Sequence, residues 1–181
     1  MTPKLIDHIA QDDLHANHVM LDLETMGTTA GSAIIAIGAV LFRMDSKKAD
    51  DDFYCTIDLQ SAVDAGAMIR PSTVMWWMQQ EDAARKAFTV GTISLVQALQ
   101  RFAAFIPQDT RVWGNGATMD NVVLSSAYEM CGLQRPWSYK HDRCYRTIKA
   151  LFFPGAHDFE GTKHNALDDA RHQASMLLGG L

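Results

Sequence analysis

The sequence predicts a single α/β domain with a mixed β-sheet flanked by helices on both faces. Three observations carry that expectation. Apolar, strand-like segments separated by turn-formers crowd into residues 18–57. From Pro71 onward the apolar spacing becomes helical. A short apolar stretch at 111–114 then interrupts the helices with a further strand.

Residues 1–17 carry Asp7, Asp12 and Asp13 without a sustained period and read as an arm or short helix before a domain at 18–181. Residues 18–23 are apolar enough for a buried strand. Gly27 and Gly31 break the pattern, and 34–42 resume it with β-branched and aromatic side chains. Residues 53–57 read as a third strand after an acidic turn at Asp50, Asp51 and Asp52. Consecutive strands joined this way form an antiparallel meander.

Ser72 caps a short helix over 73–78, and 81–88 reads as another. Segment 93–106 places Leu95, Val96, Leu99, Phe102, Ala103 and Ile106 at helical spacing, and 119–131 repeats the stripe through Val122, Val123, Ala127 and Met130. Gly132 stands where a helix stop belongs. Residues 144–153 and 165–178 supply two more helices, with Pro154 and Gly155 as the break between them.

With 181 residues the chain lies below the ~250–300 at which one core usually divides. Its 48% hydrophobic and 20% charged residues exclude disordered and fibrous classes. The longest apolar run, 33–42, is far shorter than the ~20 residues needed to span a bilayer. The N-terminus lacks a secretory pattern, so the reading is of a cytosolic protein. Cys55, Cys131 and Cys144 are scattered and unpaired in pattern, which argues for core thiols rather than disulfides or a zinc site. A net charge of −5 argues against coating long duplex nucleic acid. It leaves room for a short end gripped in one pocket, provided cations cancel the repulsion.

Candidate chemistry sits at three places. Asp22 and Glu24, two apart on a strand, present carboxylates on one face; either the strand has reached solvent or a pocket begins there. Asp120 follows a Gly-Asn-Gly turn at the start of a helix, where capping alone explains an acid. His164 precedes a helix whose first turns hold Asp168 and Asp169. These flank the stripe of Ala166, Leu167, Ala170, Ala174, Leu177 and Leu178 at nearly equal angles, so periodicity does not choose between them.

Taken together and in order, Asp22-Leu23-Glu24-Thr25, then Asp120, then His164 with an acid five residues later resemble the DEDDh branch of the DEDD 3′–5′ exonuclease superfamily. The resemblance runs from about His18 to Leu178 and implies a ribonuclease-H-like fold with further parallel strands. In detail it is nearest to phage DexA-type nucleases and the catalytic domain of exodeoxyribonuclease VIII. Trp76-Trp77, Gln79-Gln80 and Arg146-Thr147 are weaker matches to that subgroup. The family's H-x-x-x-x-D spacing selects Asp169 over Asp168. Met119 departs from it, since many relatives place an aromatic residue before the second-motif acid.

The resemblance implies that Asp22, Glu24, Asp120 and Asp169 hold two divalent cations, Mg²⁺ or Mn²⁺, for which all-oxygen sites are suited. Asp22 would bridge both ions, Glu24 and Asp169 would hold the one on the nucleophile side, and Asp120 would serve the other. His164 would be the general base on a mobile loop containing Gly155 and Gly161, since imidazoles ordinarily titrate near ~6.5. Thr25, Met26 and Gly27 would offer backbone N–H groups and an apolar wedge to the terminal nucleotide, Asn115 would lie near the scissile phosphate, and Trp77 would stack a base. The expected substrate is a single-stranded 3′ end, DNA slightly ahead of RNA, in the cytosol of a bacterium or a phage-infected host. Small relatives suggest a homodimer. The rivals are an RNA-trimming exoribonuclease and a non-catalytic binding module; a zinc hydrolase is disfavoured for want of a His/Cys cluster.

Overall fold

Strand β1 (His18–Thr25) is the centre of the molecule because it finds a partner on both edges. In the computed structural model, which describes residues 9–86, 89–153 and 158–181, β1 pairs antiparallel with β2 (Ile34–Arg43), and β2 pairs antiparallel with β3 (Lys48–Thr56). On its other edge β1 pairs parallel with β4 (Arg111–Gly114), which pairs parallel with β5 (Asp142–Cys144). The order is β3-β2-β1-β4-β5, a mixed sheet as expected.

The helices follow in chain order: α1 (Gln11–Leu14), α2 (Leu59–Asp64), α3 (Pro71–Trp77), α4 (Asp82–Lys86), α5 (Leu95–Phe105), α6 (Asp120–Met130), α7 (Tyr145–Phe152) and α8 (Ala166–Gly179). Strand alternation sends Val19, Leu21 and Leu23 into a core with α5 and α6, while Met20, Val40 and Phe42 pack with Tyr145 and the Ala170–Ala174–Leu177 stripe of α8. Asp22 and Glu24 have the parity of Met20 and therefore lie on the α8 face.

Several local expectations are corrected. Asp50, Asp51 and Asp52 are strand rather than turn; the chain reverses earlier, around Lys47, which has φ 53°. The first half of β3 is an exposed edge, so charges cost nothing there and keep the edge from pairing with other chains. The helix expected from residue 93 begins at Leu95, because Ser94 caps it with a reciprocal Gln97 box and Ile93 bridges to Ile57. Val96 and Val122, read as core, are exposed. Of the three cysteines, all free, only Cys55 is buried. The expected helix end at Phe88 and the Pro154-Gly155 break lie outside the described residues.

The described end of the N-terminal arm is docked. Asp13 accepts hydrogen bonds from Arg111 Nε at 2.7 Å and Arg143 Nη2 at 2.8 Å, tying α1 to β4 and β5. Buried His18 accepts at Nδ1 from the Trp113 indole N–H (3.0 Å) and donates from Nε2 to the Asp13 carbonyl (2.7 Å). An indole only donates, so the ring is the neutral Nε2–H tautomer. Burial accordingly pushes its pKa down to about 4.

Candidate active site

Each acid reaches the site through a different local device. Asp22 and Glu24 face α8 at the end of β1, and their partners across β2 are Gly38 and Ala36. Small residues there leave room above the strand pair. A Cβ on Gly38 would overlap the backbone of Ala166 and Leu167, so glycine alone lets the first turn of α8 rest directly on β2.

Asp120 is the first residue of α6, where the chain folds back past the end of β4. Gly114 has no space for a Cβ against the Asn121 and Asp120 side chains. The Asn121 amide donates to the Val112 carbonyl (3.0 Å) and to Asp142 Oδ1 (2.8 Å), which also accepts from the Trp137 indole (2.8 Å). This buried network clamps the start of α6. Backbone groups of Leu23, Asn115 and its own residue favour the charged form of the Asp120 carboxyl.

Asp168 and Asp169 part company here. Asp169 Oδ2 accepts the His164 backbone N–H at 2.9 Å, and its carboxylate lies with Glu24 and the His164 imidazole, their ligand atoms within 4.8 Å of one another. Asp168 turns outward, accepting the Thr162 N–H at 2.9 Å and pairing with Arg171. The two neighbouring acids thus grip two points of the loop that carries His164. His164 itself has φ 62°, a left-handed conformation that L-residues hold only when their surroundings enforce it. Its ring stands edge-on to Trp76, 4.9 Å between centroids at 85°. Gly155, part of the expected mobile loop, lies outside the described residues.

The electrostatics follow from crowding. Asp22 is raised well above the usual carboxylate range by burial and then by Asp120, Glu24 and Asp169, against one hydrogen bond from Gln173. Burial, then Asp169 and Asp120, pushes Glu24 up to about 8. Burial raises Asp120 to about 6 despite its backbone donors and the nearby Arg146. It raises Asp169 too, partly offset by the His164 N–H. Four carboxylates converging in poor solvent repel one another, and hard divalent cations are the partners that oxygen-only donors suit. The donor set fits such ions.

Beside Glu24 opens a cavity of about 350 Å³ lined by Thr25, Ser72, Thr73, Trp76 and Met119 among others, a volume suited to a small ligand. Thr25 lines it. Met26 and Gly27 do not. The Met26 N–H is donated to the Ala33 carbonyl and its side chain is 7% exposed, while Gly27 packs against Ser32 and Arg70. Trp77 also lines this cavity, but it is 4% exposed with its indole N–H donated to the Thr25 carbonyl and offers little surface for stacking; its neighbour Trp76, 40% exposed, offers more. The Asn115 carbonyl accepts from Arg146 Nη2 at 2.7 Å. Sequence reasoning missed Gln173, whose Nε2 donates to Asp22 Oδ1 at 2.9 Å. Its one signal is a glutamine within an apolar helix stripe, four residues beyond Asp169.

A family model described as the Rv2179c-like 3′–5′ exoribonuclease domain matches residues 17–179. No curated protein matches the chain significantly. Solved structures share the fold at low identity. The zinc-bound E. coli ExoI–ssDNA complex is 14% identical with a TM-score of 0.63, over 90% of this chain and 39% of that one. The nuclease domain of 3′hExo bound to rAMP, a DEDDh family member, is 12% identical with a TM-score of 0.58, over 91% of each chain. Cell-death related nuclease 4 is 12% identical with a TM-score of 0.61, over 94% of this chain and 65% of that one. The chain thus spans 39% of the length of the ExoI chain that it matches.

Proposed function

Because the chain belongs to the Rv2179c-like 3′–5′ exoribonuclease domain family and, with it, to the DEDDh exonucleases, we propose that it releases nucleoside monophosphates from single-stranded RNA 3′ ends. The observation that carries this reading is the cluster of Glu24, Asp169 and His164, whose ligand atoms lie within 4.8 Å of one another, with Asp22 and Asp120 near enough to act on those carboxylates electrostatically. The family description moves the preference from DNA, which the motifs slightly favoured, to RNA. The likeness to DexA-type enzymes and exodeoxyribonuclease VIII rests on sequence motifs alone.

Asp22, Glu24, Asp120 and Asp169 would hold two divalent cations, Mg²⁺ or Mn²⁺. When bound, such ions supply charge neutralisation at the scissile phosphate and activate the attacking water. His164, beside Glu24 and Asp169, would accept a proton from the attacking water as its oxygen bonds to phosphorus, and the bond to the 3′-oxygen would break with that oxygen protonated by solvent. Trp76 offers a stacking face and Thr25 a wall to the terminal nucleotide. Arg146, exposed beside Asn115, adds positive charge near Asp120 on the phosphate side.

Labelled single-stranded RNA and DNA of matched sequence, incubated with Mn²⁺ or with chelator, test the reading. Mononucleotides appearing first from the RNA 3′ end, and only with metal, are expected. Faster release from DNA would restore the DNA reading suggested by the DexA-like motifs. No product in any lane would favour a binding module of the same fold.

A further inference from the structure

We propose that Gln173 is a positioning residue that orients the Asp22 carboxylate for its cations, an inference that rests on the metal-dependent reading above. The side-chain Nε2 donates to Asp22 Oδ1 at 2.9 Å. This one bond decides which oxygen lone pairs remain for a metal: both on Oδ2 and one on Oδ1.

Three observations set Gln173 apart from an ordinary helix residue. It is 4% exposed, on a helix face otherwise formed by Ala166, Ala170, Ala174 and Leu177. A buried amide there costs stability that an apolar side chain would not. Only one of its two polar ends is satisfied, since Oε1 is buried with no hydrogen-bond partner among the described residues. A half-paired amide is a poor structural element, so its use must lie in the end that is paired.

The placement is equally specific. Gln173 follows Asp169 by four residues, one helical turn, so the same edge of α8 supplies both a carboxylate of the cage and the donor that holds a second carboxylate. The donor is neutral. An arginine or lysine there would compete with the cations for the charge of Asp22, whereas an amide fixes its direction and leaves the charge intact. Outer partners of this kind commonly tune metal affinity by 10–100-fold. Once bound cations hold Asp22 ionised, only the N–H end of the amide can face its carboxylate.

The test is calorimetric titration of the full chain with Mn²⁺ in wild type, Gln173→Met and Gln173→Leu, alongside thermal melts in chelator. Both variants keep the length or volume of the side chain and remove the donor. The expected result is Mn²⁺ affinity weakened by roughly 10–100-fold, with the melting temperature in chelator unchanged or raised because the unpaired Oε1 is gone. In activity assays the concentration of Mn²⁺ for half-maximal rate rises by a similar factor, and the rate at saturating Mn²⁺ falls less. If either folded variant binds Mn²⁺ as tightly as wild type, the positioning role is overturned while the metal reading stands. A lowered melting temperature with unchanged affinity would assign Gln173 to packing alone. If wild type itself takes up no Mn²⁺, the metal reading fails first and this inference with it.

Discussion

Gly38 lies beneath Ala166 so closely that the strand and the helix backbone leave no volume for a methyl group between them. Gly38 is also the cross-strand partner of Asp22. The same missing side chain therefore sets both the seat of α8 and the distance of Asp169 and Gln173 from Asp22. Gly38→Ala is expected to cost at least the ~1–3 kcal/mol typical of overpacking, with a melting temperature lower by about 2–4 °C per kcal/mol. Mn²⁺ affinity should fall in parallel. A thermal melt matching wild type would show that α8 does not rest on β2.

Asp168 and Asp169 should separate on substitution although helical periodicity treats them alike. Asp169→Asn removes a carboxylate from the cage and should lower the rate by roughly 10²-fold or more. Asp168→Asn loses the charge that pairs with Arg171 at a partly exposed position while its amide oxygen can still accept the Thr162 N–H, so most activity should survive. Steady-state rates on one RNA oligomer decide it, and equal losses would refute the division of roles.

Glu24 carries a pH signature in chelator. Its folded pKa of about 8 lies above the ordinary 4.5. Below pH 4.5 it is neutral in folded and unfolded chains alike. As pH rises from about 4.5 to about 8 the unfolded chain releases its proton first, so stability is lost across that window. The melting temperature should therefore fall toward pH 8, and Glu24→Gln should flatten the slope. Added Mn²⁺ should raise the melting temperature more at pH 8 than at pH 5, since it competes with protons for the site. A slope unchanged in Glu24→Gln would place the titrating group elsewhere.

His164→Ala should reduce turnover by about 10²–10⁴-fold, the usual worth of a positioned base. Its effect on Mn²⁺ affinity should be much smaller. Near-normal turnover would take His164 out of the proton transfer, and abolished Mn²⁺ binding would make it a ligand instead.

The adjacent indoles should behave oppositely. Trp76→Ala exposes little core and removes a stacking face worth ~1–3 kcal/mol per base, so KM should rise with the melting temperature nearly unchanged. Trp77→Ala empties a buried site and breaks the bond to the Thr25 carbonyl, at a cost of about 3–5 kcal/mol in stability. Unaltered KM in Trp76→Ala would remove it from substrate binding.

The parts of the fold legible in sequence are those whose burial is periodic. Strands β1 and β2 are buried on both faces, and α5 and α8 carry clear stripes. The unread elements lack such a pattern. The outer half of β3 is exposed on both sides, β5 is three half-buried residues, and α2 buries only Ala62. In the site, Asp22 and Glu24 were legible because strand parity is local. Trp76 and Trp77 were not separable, because neighbours on a short helix differ only in what packs against them. Gln173 stayed hidden because a glutamine reveals its use only through its partner, and Asp22 lies 151 residues earlier in the chain.

The sequence by itself determined the strands and helices whose burial is periodic and, through motif order, which acids are candidates, since periodicity and spacing are written along the chain. The motif spacing already chose Asp169 over Asp168; tertiary structure alone decided how Asp168 is used instead, that Trp76 is more open than Trp77, and that Gln173 holds Asp22. Those outcomes depend on how closely β1, α6 and α8 approach. That approach is set by the absent side chains of Gly38 and Gly114, whose effect exists only once distant backbones are packed together.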